Sequence, residues 1–177
     1  MTAAAGVSGG LGRAALERVV LLAQERGLTI ATGESLTAGM VAAALASVPG
    51  ASTVLRGGVV SYHRDVKAAL LGVEPELLER AGAVDAEVAR QMALGARDSC
   101  GADIGVSTTG VAGPEPHDGK AVGTVFISVV AVSVNLVREY RFRGSRSQIR
   151  EASCSAAVIL LTEALELESA GTNGVPQ

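Results

Sequence analysis

The stretch Leu28-Thr29-Ile30-Ala31-Thr32-Gly33-Glu34-Ser35-Leu36-Thr37-Ala38-Gly39-Met40 changes character partway along. It opens as a β-branched run, which reads as a buried strand. It breaks at Gly33 and enters an apolar, Ala-rich segment, Met40 to Val48, that reads as a helix. Ser35 and Thr37 therefore fall where a strand hands over to a helix. Backbone N–H groups at a helix start lack intrahelical partners, and the helix dipole adds positive potential there. An anion, or an oxyanion formed during acyl transfer, is stabilised at such a place. Two readings of the hydroxyls are open: a helix N-cap, or a nucleophile.

The rest of the chain repeats the strand-to-helix theme. Leu16, Val19, Val20, Leu22 and Ala23 recur at helical spacing within Leu11 to Arg26, and Gly27 closes that helix. The first strand is Leu28 to Thr32, and Pro49-Gly50 stops the helix after it. A second strand runs from Val54 to Tyr62. Its paired Gly57-Gly58 predict a bulge or the close approach of a ligand or another backbone. Short helices follow at Asp65 to Leu71 and Pro75 to Arg80, then an amphipathic helix at Asp85 to Ser99 capped by Asp85. Asp103 to Thr109 is a third strand. Val122 to Val132 and Val134 to Phe142 read as an antiparallel pair, and Ser145 to Leu167 as a closing helix. Helices alternate with strands early and a hairpin comes late. That order predicts an α/β fold: a three-layer α/β/α sandwich with a mixed, mainly parallel sheet and a late antiparallel hairpin. One domain is expected over 11–168, between flexible tails at 1–10 and 169–177.

Bulk properties narrow the class. The chain has 177 residues, enough for one real core. That core must be aliphatic, because hydrophobic residues make up 48% while aromatics make up 2% and Trp is absent. A net charge of −3 without a long basic run argues against nucleic acid as a partner. No apolar run reaches membrane-spanning length, and Met1 to Gly12 lacks the pattern of a secretory signal. Cys100 and Cys154 form no CxxC and read as buried thiols in a reducing cytosol. A cytoplasmic domain with no membrane partner is expected.

Three loops follow the first three strands: Gly33 to Gly39, Tyr62 to Lys67, and Gly110 to Lys120. If those strands are parallel, the loops gather at their carboxyl ends, where open α/β sheets bind ligands. Lys67 is a candidate general base for Ser35, as in Ser-Lys hydrolases, provided that burial or a nearby cation lowers its pKa. Tyr62 would relay the proton or hold substrate. The competing reading makes Lys67 a solvated helix residue and Tyr62 a core edge. Gly105 to Gly110 matches GxxxxG but continues Val111-Ala112, without the lysine and hydroxyl of a phosphate-binding loop, so that assignment is rejected. Gly110 and Gly113 either let backbone N–H groups face a ligand beside the Thr109 hydroxyl, or build a tight turn. Arg143, Arg146 and Arg150 would hold a phosphate or form a solvated face. Glu34 is expected to point away from its neighbour Ser35 and to play a minor part. His63 and His117 complete no Ser-His-Asp order, and no Cys, His or carboxylate set has metal-ligand spacing.

Several motifs in order resemble the CinA C-terminal domain family, which includes the nicotinamide-nucleotide amidases. They are Thr32 to Gly39, Pro49-Gly50-Ala51-Ser52, Arg56 to Tyr62 with Lys67, Leu71-Gly72-Val73, Gly82-Ala83-Val84, Ser107 to Pro114 and Val122 to Val125. The likeness runs from about Leu16 to Leu167. It implies hydrolysis of the carboxamide of nicotinamide mononucleotide, with Ser35 as nucleophile, Lys67 and Tyr62 as its activating partners and Thr109 as a further site hydroxyl. Glu34, Thr37, Gly39, Gly110, Gly113 and Arg146 are the expected substrate contacts. The mechanism implied uses no metal and no cofactor, and the oxyanion would rest on N–H groups at the helix start. A nucleotide substrate and a homodimer or higher homo-oligomer are implied by the same likeness. The alternative function is a non-catalytic nucleotide-binding or interaction domain of the same fold. The family commonly has Ala-Glu-Ser-Cys-Thr-Gly-Gly where this chain has Gly33, Leu36 and Ala38, and Gly-Asp-Arg where it has Gly144-Ser145-Arg146. Ala38 is expected to bear on pocket shape, and Ser145 to cap the last helix.

Overall fold

The computed structural model describes residues 12–168, so the tails expected at 1–10 and 169–177 lie outside the described residues. Its elements run α1 (Arg13–Arg26), β1 (Ile30–Glu34), α2 (Met40–Ala46), a short 3-10 turn (Ala51–Thr53), β2 (Leu55–Val60), α3 (Arg64–Leu71), α4 (Pro75–Ala81), α5 (Ala86–Cys100), β3 (Ile104–Gly110), β4 (Thr124–Val130), β5 (Asn135–Arg141) and α6 (Arg146–Leu167). The sheet order is β2-β1-β3-β4-β5. β1 pairs in parallel with β2 and β3, whereas β4 is antiparallel to both of its neighbours. The mixed sheet with its late hairpin is the one expected.

Side chains on the central strands alternate between two cores, as the period of a strand requires. Ile30, Ile104, Val106, Val125, Ile127 and Val129 join Val19, Val20, Leu45, Leu160 and Leu161 from α1, α2 and α6 on one face. Ala31 joins Leu71, Leu77, Val88 and Met92 from α3, α4 and α5 on the other. Small residues let α5 lie close on that second face. The Ser107 hydroxyl donates to the Ala89 carbonyl at 2.5 Å. A Cβ added at Gly105 would stand 1.8 Å from the Ala93 carbonyl oxygen, so no side chain fits there. With aromatics nearly absent, this closeness supplies the packing density that large rings give elsewhere.

Two boundaries differ from the sequence reading. Gly33 does not break the first strand: it pairs with Val59 on one side and Ser107 on the other, and Glu34 pairs with Val60 and Thr108. The strand starts late instead. The Leu28 N–H is held by the Ala23 carbonyl, and Thr29 donates both its N–H and its hydroxyl to Asp103. In β2 the paired glycines do mark an irregularity. Ile30 faces Leu55 and Ala31 faces Gly57, which leaves Arg56 as the extra residue of a bulge.

The Gly105 contact gives a direct test. Gly105→Ala drives a methyl into the backbone of α5 and is expected to destabilise the domain by about 3 kcal/mol or more, read as a lowered urea midpoint with an unchanged slope.

Candidate active site

The loops after β1, β2 and β3 converge on one cavity of about 310 Å³ at the carboxyl ends of those strands. Ser35 and Leu36 come from the first, Tyr62 and Lys67 from the second, and Thr109 through His117 from the third strand and its loop; Ala83, Val84 and Arg146 complete the lining.

Lys67 is placed by α3, and it is 1% exposed despite its charge-bearing amine. Its Nζ lies 2.9 Å from Ser35 Oγ, 2.7 Å from the Ser61 carbonyl oxygen and 3.3 Å from the Tyr62 carbonyl oxygen. As an ammonium it donates to all three. As a neutral amine it donates to the two carbonyls, and its lone pair then faces the Ser35 hydroxyl hydrogen. Burial is the main reason that its pKa falls to about 8; the Arg64 guanidinium pushes the same way, and Asp118 partly opposes both. The reading of Lys67 as a solvated helix residue is overturned by this burial.

Ser35 is itself buried, and its N–H donates to the Thr108 carbonyl at 2.9 Å, which continues the β1–β3 ladder one residue past the strand. On the cavity lining, the N–H groups of Leu36, Ala112 and Gly113 make no hydrogen bond within the described residues. They are among the donors that an anion in the cavity could meet.

The start of α2 is not available for that purpose. Glu34 turns its carboxylate, 1% exposed, into the helix N-terminus. It accepts from the N–H groups of Gly39, Val41 and Ala42 at 2.9, 3.1 and 2.9 Å, and from the hydroxyls of Thr37 and Thr32 at 2.7 and 3.1 Å. Thr37 also shares a 2.7 Å hydrogen bond with Thr108. Glu34, Thr37 and Gly39 are not on the cavity lining, and an internal carboxylate satisfies the donors at the start of α2. The minor part given to Glu34 is corrected: it caps a helix.

Tyr62 is 55% exposed, and its phenol accepts from Arg146 Nη2 at 2.5 Å, while Arg146 Nη1 donates to the Gly113 carbonyl at 2.6 Å. It is the Tyr62 carbonyl, not the phenol, that reaches Lys67. Thr109 lines the cavity, but its hydroxyl donates to the Ala83 carbonyl at 2.6 Å, so it braces the floor. Gly110 and Gly113 lie on the lining. Of the three arginines only Arg146 does so, because Arg150 donates to the Leu36 and Thr37 carbonyls. Sequence reasoning missed the Ser61 carbonyl, Ala83 and Asp118. Side-chain chemistry carries no signal for a carbonyl that holds an amine.

Of the departures from the family pattern, Leu36 lies on the cavity lining, whereas Gly33, Ala38 and Ser145 do not. Ala38 is exposed with φ 49°, a left-handed conformation that suits glycine. Ser145 caps α6 in a reciprocal box with Gln148. Ala38→Gly is expected to stabilise the domain by about 1 kcal/mol, because relief of the left-handed strain exceeds the entropy a glycine adds to the unfolded chain. Glu34→Gln removes one carboxylate oxygen from the α2 donors and is expected to cost roughly 2–4 kcal/mol. Urea unfolding measures both.

Comparison with known proteins agrees with this fold. The chain matches the CinA C-terminal domain over residues 13–165. It is 50% identical over 147 residues to a CinA-like protein of Mycobacterium marinum, covering 82% of this chain and 34% of that one. It is 44% identical over 162 residues to a CinA-like protein of Frankia casuarinae, covering 91% and 37%. The chain thus spans about a third of the length of these relatives. The crystal structure of the competence/damage inducible protein CihA from Agrobacterium tumefaciens superposes with a TM-score of 0.84 at 34% identity, covering 92% of this chain and 99% of that one. From the match over nearly every described residue and the shared fold, the chain belongs to the CinA C-terminal domain family.

Proposed function

We propose that this domain hydrolyses the carboxamide of nicotinamide mononucleotide to nicotinic acid mononucleotide and ammonia by Ser-Lys acyl transfer. The observation that carries the chemistry is the buried Lys67 amine on Ser35 Oγ, held from behind by two carbonyls. The choice of substrate rests on the resemblance to the nicotinamide-nucleotide amidases.

The neutral Lys67 amine takes the Ser35 proton as Oγ attacks the amide carbon. The tetrahedral oxyanion is met by N–H groups on the lining, with Leu36 next to the nucleophile. The Lys67 ammonium then gives its proton to the amide nitrogen, the C–N bond breaks and ammonia leaves. In the second half, Lys67 takes a proton from water, hydroxide adds to the acyl carbon, and Ser35 departs with that proton. Tyr62 and Arg146 brace the cavity wall through each other and through Gly113.

The test is ammonia release from nicotinamide mononucleotide by the parent chain, Ser35→Ala and Lys67→Met. Both variants are expected to lose at least about a hundredfold in kcat/KM. Turnover that survives in Ser35→Ala removes Ser35 as nucleophile. Saturable binding without turnover in the parent would replace the enzyme with a nucleotide-binding domain. The base must be unprotonated, and Lys67 loses its proton at about 8, so kcat/KM is expected to climb with pH and level off above about 8. A profile already flat from pH 6 to 9 would contradict Lys67 as the base.

A further inference from the structure

An ion pair lies behind the cavity wall and joins parts of the chain that are far apart in sequence. Arg64, the first residue of α3, pairs with Asp118 in the loop that follows β3. Arg64 precedes Lys67 by three positions, so the two share a helix face. The second oxygen of Asp118 accepts the Ala83 N–H at 2.6 Å, and the Ala83 carbonyl in turn accepts the Thr109 hydroxyl at 2.6 Å. One carboxylate thereby fastens the Lys67 helix, the connection between α4 and α5, and the loop over the cavity. Asp118 adopts φ 50°, a conformation uncommon for a residue with a side chain, and it is seated against Gly82, where an added Cβ would come within 2.7 Å of it.

We propose that Arg64 and Asp118 are positioning residues: their ion pair clasps the 113–120 loop to the helix that carries Lys67 and holds two opposed charges beside the Lys67 site. The geometry supplies the clasp. The two charges act on the amine in opposite directions, Arg64 disfavouring its proton and Asp118 favouring it, with Arg64 the stronger. Other titratable groups lie around the same amine. Tyr62 stands in the connection before α3, Glu115 and His117 on the loop, and Arg146 at the start of α6. Glu34, at the end of β1, is held by the α2 donors. His63 and Asp65 flank Arg64 but are exposed and 3.4 Å from each other. The catalytic consequence rests on the Ser-Lys reading proposed above; the clasp and its electrostatics do not.

The chain contains two lysines, Lys67 and Lys120, so a protein labelled with carbon-13 at lysine Cε gives two resonances to follow. Lys120→Arg assigns them. In the full chain the Lys67 resonance is expected to titrate near pH 8. Arg64→Gln is expected to raise that midpoint and Asp118→Asn to lower it, each by on the order of half a unit, and the double variant to return close to the parent. Midpoints that stay put in both single variants overturn the proposal. So do midpoints that move in the same direction, since that is the mark of a loosened loop without a charge effect. If Asp118→Asn fails to fold, Arg64→Gln, whose side chain is 41% exposed, carries the test alone, and an unmoved midpoint there refutes it. Ammonia release measured in parallel separates the two readings. Midpoints that move as expected in a protein without amidase activity leave the clasp standing and remove the function. An active amidase whose Lys67 midpoint ignores both substitutions overturns this proposal and leaves the function standing.

Discussion

Two ionisable side chains, Glu34 and Lys67, are each 1% exposed in this small domain, and the fold keeps them on separate partners. Pairing them is the obvious way to lower the cost of burying both. Instead Glu34 receives three N–H groups and two hydroxyls around the start of α2. Lys67 receives two carbonyls and the Ser35 hydroxyl. A carboxylate on the Lys67 amine would favour its proton and oppose the effect of burial. Without one, burial dominates and brings the amine to about 8. Cys154 registers the Glu34 charge on the other side: its thiol is pushed up to about 11, chiefly by burial and then by that carboxylate.

Strand register makes this separation possible. Glu34 is the last paired residue of β1, between Val60 and Thr108, and Ser35 is tied to the Thr108 carbonyl just beyond. Successive residues leave a strand on opposite faces. One is therefore delivered to α2 and the next to the cavity. A slip of one residue would exchange them and present a carboxylate to the Lys67 amine. The ladders on both sides of β1, and the closeness of α5 over Gly105 and Ser107, hold that register.

How much of this was legible in the sequence follows from the range of each interaction. The order of helices and strands, the antiparallel pair and the gathering of three loops come from local periodicity and the geometry of β–α units, and they read well. Capping by Asp85 and Ser145 is equally local and was expected. The misreadings share a cause. Gly33 looks like a break because its neighbours on two other strands are invisible locally. The donors at the α2 start look free because the carboxylate that takes them comes from the preceding strand rather than from a cap. The Tyr62 carbonyl on Lys67 goes unnoticed because only the side chain carries a chemical signal in the sequence. Arg64 and Asp118 lie 54 positions apart, and nothing in the spacing of either announces the other.

The family likeness takes on a different meaning once its motif is sorted by face. Within Thr32 to Gly39, the residues that line the cavity are Ser35 and Leu36; Glu34 with Thr32, Thr37 and Gly39 builds the cap of α2. Most of a motif that reads as catalytic is thus architecture for a buried carboxylate. The replacements this chain carries can be weighed on the same basis. Ala38 sits on the exposed turn beyond the cap, where its methyl strains the backbone without touching the cavity, and Ser145 supplies the hydroxyl that starts α6. Leu36 puts an aliphatic residue beside Ser35 on the cavity lining. The contact between Ser35 and Lys67 therefore depends less on spelling the motif in full than on Glu34 remaining occupied elsewhere, so that the Lys67 amine meets the hydroxyl and no carboxylate.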